Sequence, residues 1–134
     1  MSSAANVLVQ MGPHKGGGVY LYTHWGGSYL PETVRQAMAR AQCLGDNQYL
    51  ARIIFCNMVK GHEDEQDGFG LCIHAGHSPF PLIEVHCRHQ RVRFRQTFVH
   101  PERGFQIHWG EPMAEYTFKD YIAIPVAAYP PDYY

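Results

Sequence analysis

The side chains of this chain that could do chemistry fall into three sets, each suited to different work. Cys72, His74, His77, His86, Cys87 and His89 lie on two neighbouring predicted strands and their connections. Imidazole and thiolate are zinc ligands, so convergence of His74, His77, His86 and His89 with a cysteine would make a metal site. Their spacing matches no established zinc signature, and His86 and Cys87 point to opposite faces of a strand. Histidines on a solvated surface are the plainer reading. In the second set, Arg91, Arg93 and Arg95 alternate with Val92 and Phe94 and would form one basic strand face, with Arg88 and Arg103 nearby. Such a stripe neutralises the phosphates of a nucleotide or nucleic acid. Pairing with Glu63, Asp64 or Glu65 would make it structural instead. The third set is Tyr20, Tyr22, His24 and Trp25, whose rings and polar tips suit a partner surface or a stacked base.

Nucleophilic catalysis needs a hydroxyl or thiol beside a base that a third group orients. Cys72 with His74, and Ser28 with His24, are neighbours in sequence and nothing more. The glycine-rich stretch from Gly12 to Gly18 lacks the order of a Walker loop, and no helix follows it directly, so it reads as a plain connection.

The elements that must position these residues follow from periodicity. Val7 to Met11 and Val19 to Trp25 read as a hairpin with Val19, Leu21 and Thr23 on one face and Tyr20, Tyr22 and His24 on the other. After Gly26-Gly27, Pro31 opens a helix whose Val34, Ala37, Met38 and Ala41 keep a helical stripe. Asp46 or Asn47 caps a second helix running to about Lys60, with Gly61 as its stop. Its interior is apolar almost all round apart from Arg52, which must pair, reach a surface or touch a ligand. His62 to Gly68 is an acidic turn without the order of a calcium loop.

Beyond that turn, Phe69, Leu71 and Ile73 alternate as a strand, and Leu82 to Cys87 with Arg91 to Val99 make a hairpin about Arg88-His89-Gln90. Phe105 to Trp109 is a further strand, and Thr117 to Asp120 resembles a capping box for a short last helix. Because strands and helices are grouped, the order predicts an α+β fold: an antiparallel sheet, two central helices on one face and a short C-terminal helix. Residues 1–125 would form one domain and 126–134 a Pro/Tyr-rich tail.

Composition limits the options. The 134 residues suit one core, and 46% hydrophobic with 17% charged residues excludes the signature of disorder. A net charge of -1 supplies no global pull toward nucleic acid or an acidic membrane, so any such attraction must be local. The stretch Met1 to Asn6 has no basic region, and Val7 to Met11 is too short for a signal core or a span, which predicts a cytoplasmic protein away from membranes. Cys43, Cys56, Cys72 and Cys87 are unclustered and read as reduced, mostly buried thiols.

Two blocks, Tyr20-Leu21-Tyr22-Thr23-His24-Trp25-Gly26-Gly27 and Tyr49-Leu50-Ala51-Arg52-Ile53-Ile54-Phe55, are followed by Gly68-Phe69-Gly70. Together they resemble a group of small uncharacterised bacterial and phage proteins, over roughly residues 18–123. The resemblance implies no established activity or cofactor. It does imply a small intracellular protein that travels on phages or prophages and binds a host protein or nucleotide. The histidine-rich hairpin departs from that pattern.

The expectation is therefore a non-enzymatic binding protein, with Tyr20, Tyr22, His24, Trp25 and Arg52 contacting an unidentified protein partner, as an inhibitor of a host process such as a bacterial defence system. A nucleotide or nucleic-acid binder using Arg91, Arg93 and Arg95 is the alternative, and a zinc-dependent enzyme using the histidine hairpin is the third. No cofactor is expected beyond the zinc those histidines would allow, and a homodimer is left open.

Overall fold

The computed structural model describes residues 3–10, 12, 15–42 and 44–131. Ala5–Gln10 forms β1, buried along its whole length because it runs through the middle of a six-stranded sheet. Its neighbours are β2 (Val19–Thr23) and β4 (Leu82–His86), and the sheet extends outward through β3 (Phe69–Cys72) on one side and through β5 (Arg91–Arg95) and β8 (Ala114–Thr117) on the other. The expected β1–β2 hairpin is antiparallel, with Val7 opposite Leu21.

The expectation of an antiparallel sheet is corrected in one place: β1 and β4 run parallel, Val7 opposite Ile83, so the sheet is mixed. The reason is connectivity. Between β1 and β4 the chain makes β2, α1 (Leu30–Arg40), α2 (Asn47–Val59) and β3, and so long an excursion lets it re-enter in the direction of β1. A second sheet pairs β6 (Thr97–His100) with β7 (Gly104–Ile107), and α3 (Phe118–Ala123) closes the order.

Strand alternation divides the interior. Val7, Val9, Leu21, Ile83, Val85, Val92 and Phe94 join Val34, Ala37 and Met38 of α1, Leu50, Ile54 and Met58 of α2, and Phe118 and Tyr121 of α3 in one cluster. The opposite parity places Leu8, Tyr20 and Leu82 in a smaller cluster against Ala75, Ile107 and Trp109. In α2 the buried residues are spaced by four, so the helix is amphipathic where apolarity all round was expected, and Arg52 lies on its exposed side over the Tyr49 ring. Asp46 caps this helix by accepting from the Gln48 and Tyr49 amides. Thr117 caps α3 by accepting from the Asp120 amide.

The Pro/Tyr-rich segment expected as a tail is held along its described part. Glu32 of α1 accepts from the Ala127 amide at 2.8 Å, and Tyr129 donates to the Gly27 carbonyl at 2.8 Å. The Arg35 guanidinium beside Glu32, helped by the Ala127 and Gln36 donors, pulls the Glu32 carboxyl down to about 2. Gly27 must be glycine: its amide donates to Ser3, and a Cβ would overlap the Ser3 carbonyl and crowd the Phe80 ring. That closure sets the end of β2 and the start of α1, where the site lies. Tyr133 and Tyr134 lie outside the described residues.

Candidate functional site

Where β2 ends, the chain turns through Trp25 and Gly26 into a 3-10 turn at Gly27–Tyr29 that leads into α1. Trp25 is 52% exposed and Tyr29 74%, yet Trp25 is tightly held. Its amide donates to the Thr23 hydroxyl at 3.2 Å, the Thr23 hydroxyl donates back to the Trp25 carbonyl, and the His24 amide donates to Gly68 at 2.7 Å. The indole lies directly on Gly68, whose φ of 93° and lack of a Cβ permit that approach. His24 packs edge-on against Trp25, with ring centroids 4.6 Å apart. A large aromatic surface is thus exposed while its backbone and ring are fixed.

Trp25 and Tyr29 line an open cavity of about 500 Å³ with Leu30, Met58 and Phe69. This volume falls in the ordinary range of ligand sites. Its polar groups are Glu65 and Asp67 from the acidic turn, His62, and the hydroxyls of Thr23 and Thr33. His62 meets Glu65 at 2.9 Å, and its ring lies 5.8 Å from that of Phe69. Thr33 donates to the Tyr29 carbonyl at 3.1 Å, so both lining threonine hydroxyls are engaged with backbone oxygens. The arrangement offers aromatic and aliphatic walls with a carboxylate rim.

A second cavity of about 440 Å³ lies on the opposite face of the sheet, where Lys15, Tyr20, His74, Phe105 and Trp109 come together. Tyr20 donates to the Gly16 carbonyl at 3.1 Å, and burial, with Glu84 adding to it, raises its phenol to about 12. Tyr22 lines neither cavity; its ring lies against Gly76 and its hydroxyl is 3.3 Å from His24 Nδ1. The four residues expected to make one surface are therefore divided: Trp25 serves the first cavity and Tyr20 the second. Arg52 lines neither.

The arginine strand has a different fate. Arg91, Arg93 and Arg95 do share the parity expected of them, but a buried carboxylate from β4 lies between two of them. Glu84, 2% exposed, accepts from Arg95 Nε at 2.8 Å and from the Gln10 side-chain Nε2, and lies 3.5 Å from Arg93 Nη1. Arg93 also donates to Glu115, and Arg95 donates to the Gly110 carbonyl and lies 5.3 Å from the Trp109 ring centre. Arg91 donates to the backbone carbonyls of His89 and Gln90. The partners are Glu84 and Glu115, where Glu63, Asp64 and Glu65 were the expected ones.

His86 and His89 stack face to face beside this network, centroids 3.8 Å apart and planes 5° off parallel. His86 Nδ1 accepts the His89 amide, and Arg93 Nη2 lies 3.3 Å from His89 Nδ1. Burial above all, then His89, holds the His86 imidazole below its ordinary 6.5, against an opposing pull from Glu84 and with a smaller push from Arg93. The unfolded chain therefore takes up this proton first as pH falls. The neutral His86 ring contributes its full stability above about pH 6.5 and loses it through lower pH. Urea midpoints measured from pH 7 to pH 5 should fall, and His86→Gln should flatten that slope.

No family model, curated protein or solved structure matches the chain. Its chemistry rests on the geometry alone.

Among the described residues no group of three or more His, Cys, Asp or Glu side chains is placed to hold a metal. Of the histidines weighed as zinc ligands, His74 lines the second cavity, His77 packs on Phe105, and His86 and His89 stack on each other. Of the described thiols, Cys87 is buried, and burial raises it to about 11, whereas Cys56 and Cys72 are exposed against expectation. Cys43 lies outside the described residues. Among those residues no helix is long and apolar enough to cross a membrane. Of the lining residues, Tyr29 and Met58 carried no sequence signal, and Glu65, Asp67 and Phe69 were read there as an acidic turn and a strand and not as a site. The one local signal was Trp25 followed by two glycines, which marks a ring held at a sharp turn.

Proposed function

We propose that this chain is a non-enzymatic intracellular binding protein whose macromolecular partner docks over the Trp25 and Tyr29 cavity. The observation that carries the reading is Trp25 itself, half-exposed yet fixed by Thr23 and Gly68 at the mouth of a cavity of about 500 Å³. A rigid, exposed tryptophan loses little entropy on contact, which is why such rings anchor interfaces. Against a phosphate-binding role stands the Glu84 and Glu115 pairing of Arg93 and Arg95. The narrower role, inhibition of a host process by a phage-borne protein, has the block resemblance as its sole support.

A photoreactive benzoylphenylalanine installed at Tyr29 tests the reading in the cells that make the protein. It should yield one discrete adduct that is missing when the same group replaces Lys119, an exposed residue of α3. Equal adducts from both positions, or none from position 29, would overturn it.

A further inference from the structure

We infer that the group this cavity takes from its partner is a cation on an aliphatic stem, the side chain of a lysine or arginine; this rests on the binding-protein reading above. The walls set the shape and the rim sets the sign. Trp25, Tyr29 and Phe69 offer rings whose negative faces attract an ammonium or guanidinium, and Leu30 and Met58 suit the methylenes behind it.

Glu65 and Asp67 add full negative charge at the same cavity. Elsewhere in the molecule Glu32, Glu84 and Glu115 are each met by an arginine. Among the described residues no lysine or arginine forms an ion pair with Glu65 or Asp67, and only His62 reaches Glu65. No lysine or arginine lines the cavity either, so an anionic ligand would meet repulsion without compensation. The site is also pre-formed, because moving Trp25 would require breaking its seat on Gly68. The volume exceeds that of one side chain, leaving room for the flanking backbone of a polypeptide.

The test uses the full chain carrying Trp109→Phe, so that Trp25 is the sole tryptophan and reports the cavity by fluorescence and by its indole N–H resonance. N-acetyl-arginine amide and N-acetyl-lysine amide should perturb Trp25 saturably, roughly tenfold more tightly than the neutral N-acetyl-norleucine amide. Asp67→Asn should weaken the two cations and leave norleucine unchanged. Norleucine binding as tightly as arginine would overturn the cationic preference while leaving the cavity a docking site. No response of Trp25 to any of the three would overturn the inference as well, and cross-linking from position 29 then decides separately whether the docking reading stands.

Discussion

Replacing Glu84 with alanine should destabilise the fold by about 3–5 kcal/mol, the cost of removing one partner from a buried ion pair. Glu84 is 2% exposed and Arg95 8%, and the carboxylate accepts from Arg95 and from Gln10 while facing Arg93. Without it the Arg95 guanidinium keeps, among the described residues, the Gly110 carbonyl and the Trp109 ring, neither of which carries a countercharge. Because β4 and β5 are inner strands, the loss acts on the middle of the sheet. Urea unfolding measures it directly through the midpoint. Combining Glu84→Met with Arg95→Met should cost less than either change alone, since it leaves no buried charge without a countercharge: Arg93 keeps Glu115, and the loss that remains is the acceptor of the Gln10 side-chain amide. A loss below about 1 kcal/mol for Glu84→Ala would mean that the network is wet and weak.

Trp25→Ala should do the reverse, sparing the fold and disabling recognition. The ring is half outside the protein, Trp25 meets the Thr23 hydroxyl through its backbone, the ring rests on the surface of Gly68, and it belongs to neither buried cluster. Stability should therefore change by less than about 1 kcal/mol. The same ring is the largest rigid apolar surface at the cavity mouth, and truncating a tryptophan of that kind typically costs about 2 kcal/mol or more of binding, roughly thirtyfold in affinity.

Much of this architecture was legible in the chain, for identifiable reasons. Capping at Asp46 and Thr117 is a local matter of one side chain and the amides that follow it, so the spacing sufficed. The division of β2 into Leu21 and Thr23 against Tyr20 and Tyr22 followed from strand alternation alone. The parallel pairing of β1 with β4 was not legible, because periodicity reports which residues are buried and says nothing of a neighbour's direction. Arg91 to Val99 read as one strand since alternation continues through it, yet the chain leaves the main sheet at Gln96 and joins a separate hairpin. β8 escaped notice because its four residues sit at a sheet edge with mixed polarity.

The cavity was legible only at Trp25. Leu30, Met58 and Phe69 come from α1, α2 and β3, where nothing sets them apart from the apolar residues around them, while Glu65 and Asp67 read as part of an acidic turn. Only the folding of that turn against the end of β2 brings carboxylates and rings to one opening, and no local spacing encodes it. For the arginine strand the missing fact was Glu84, an acid inside an otherwise apolar strand whose pairing register sets it opposite Arg93. Its position between Ile83 and Val85 was a signal that a cation lay nearby, because a buried carboxylate demands one.

The docking proposal places recognition at the Trp25 cavity. Calorimetric titration of the partner captured at position 29 into the native chain and into Trp25→Ala, with unfolding midpoints recorded for both, tests it most directly. Affinity lower by an order of magnitude or more at an unchanged midpoint is the predicted result; equal affinity for the two chains would contradict it.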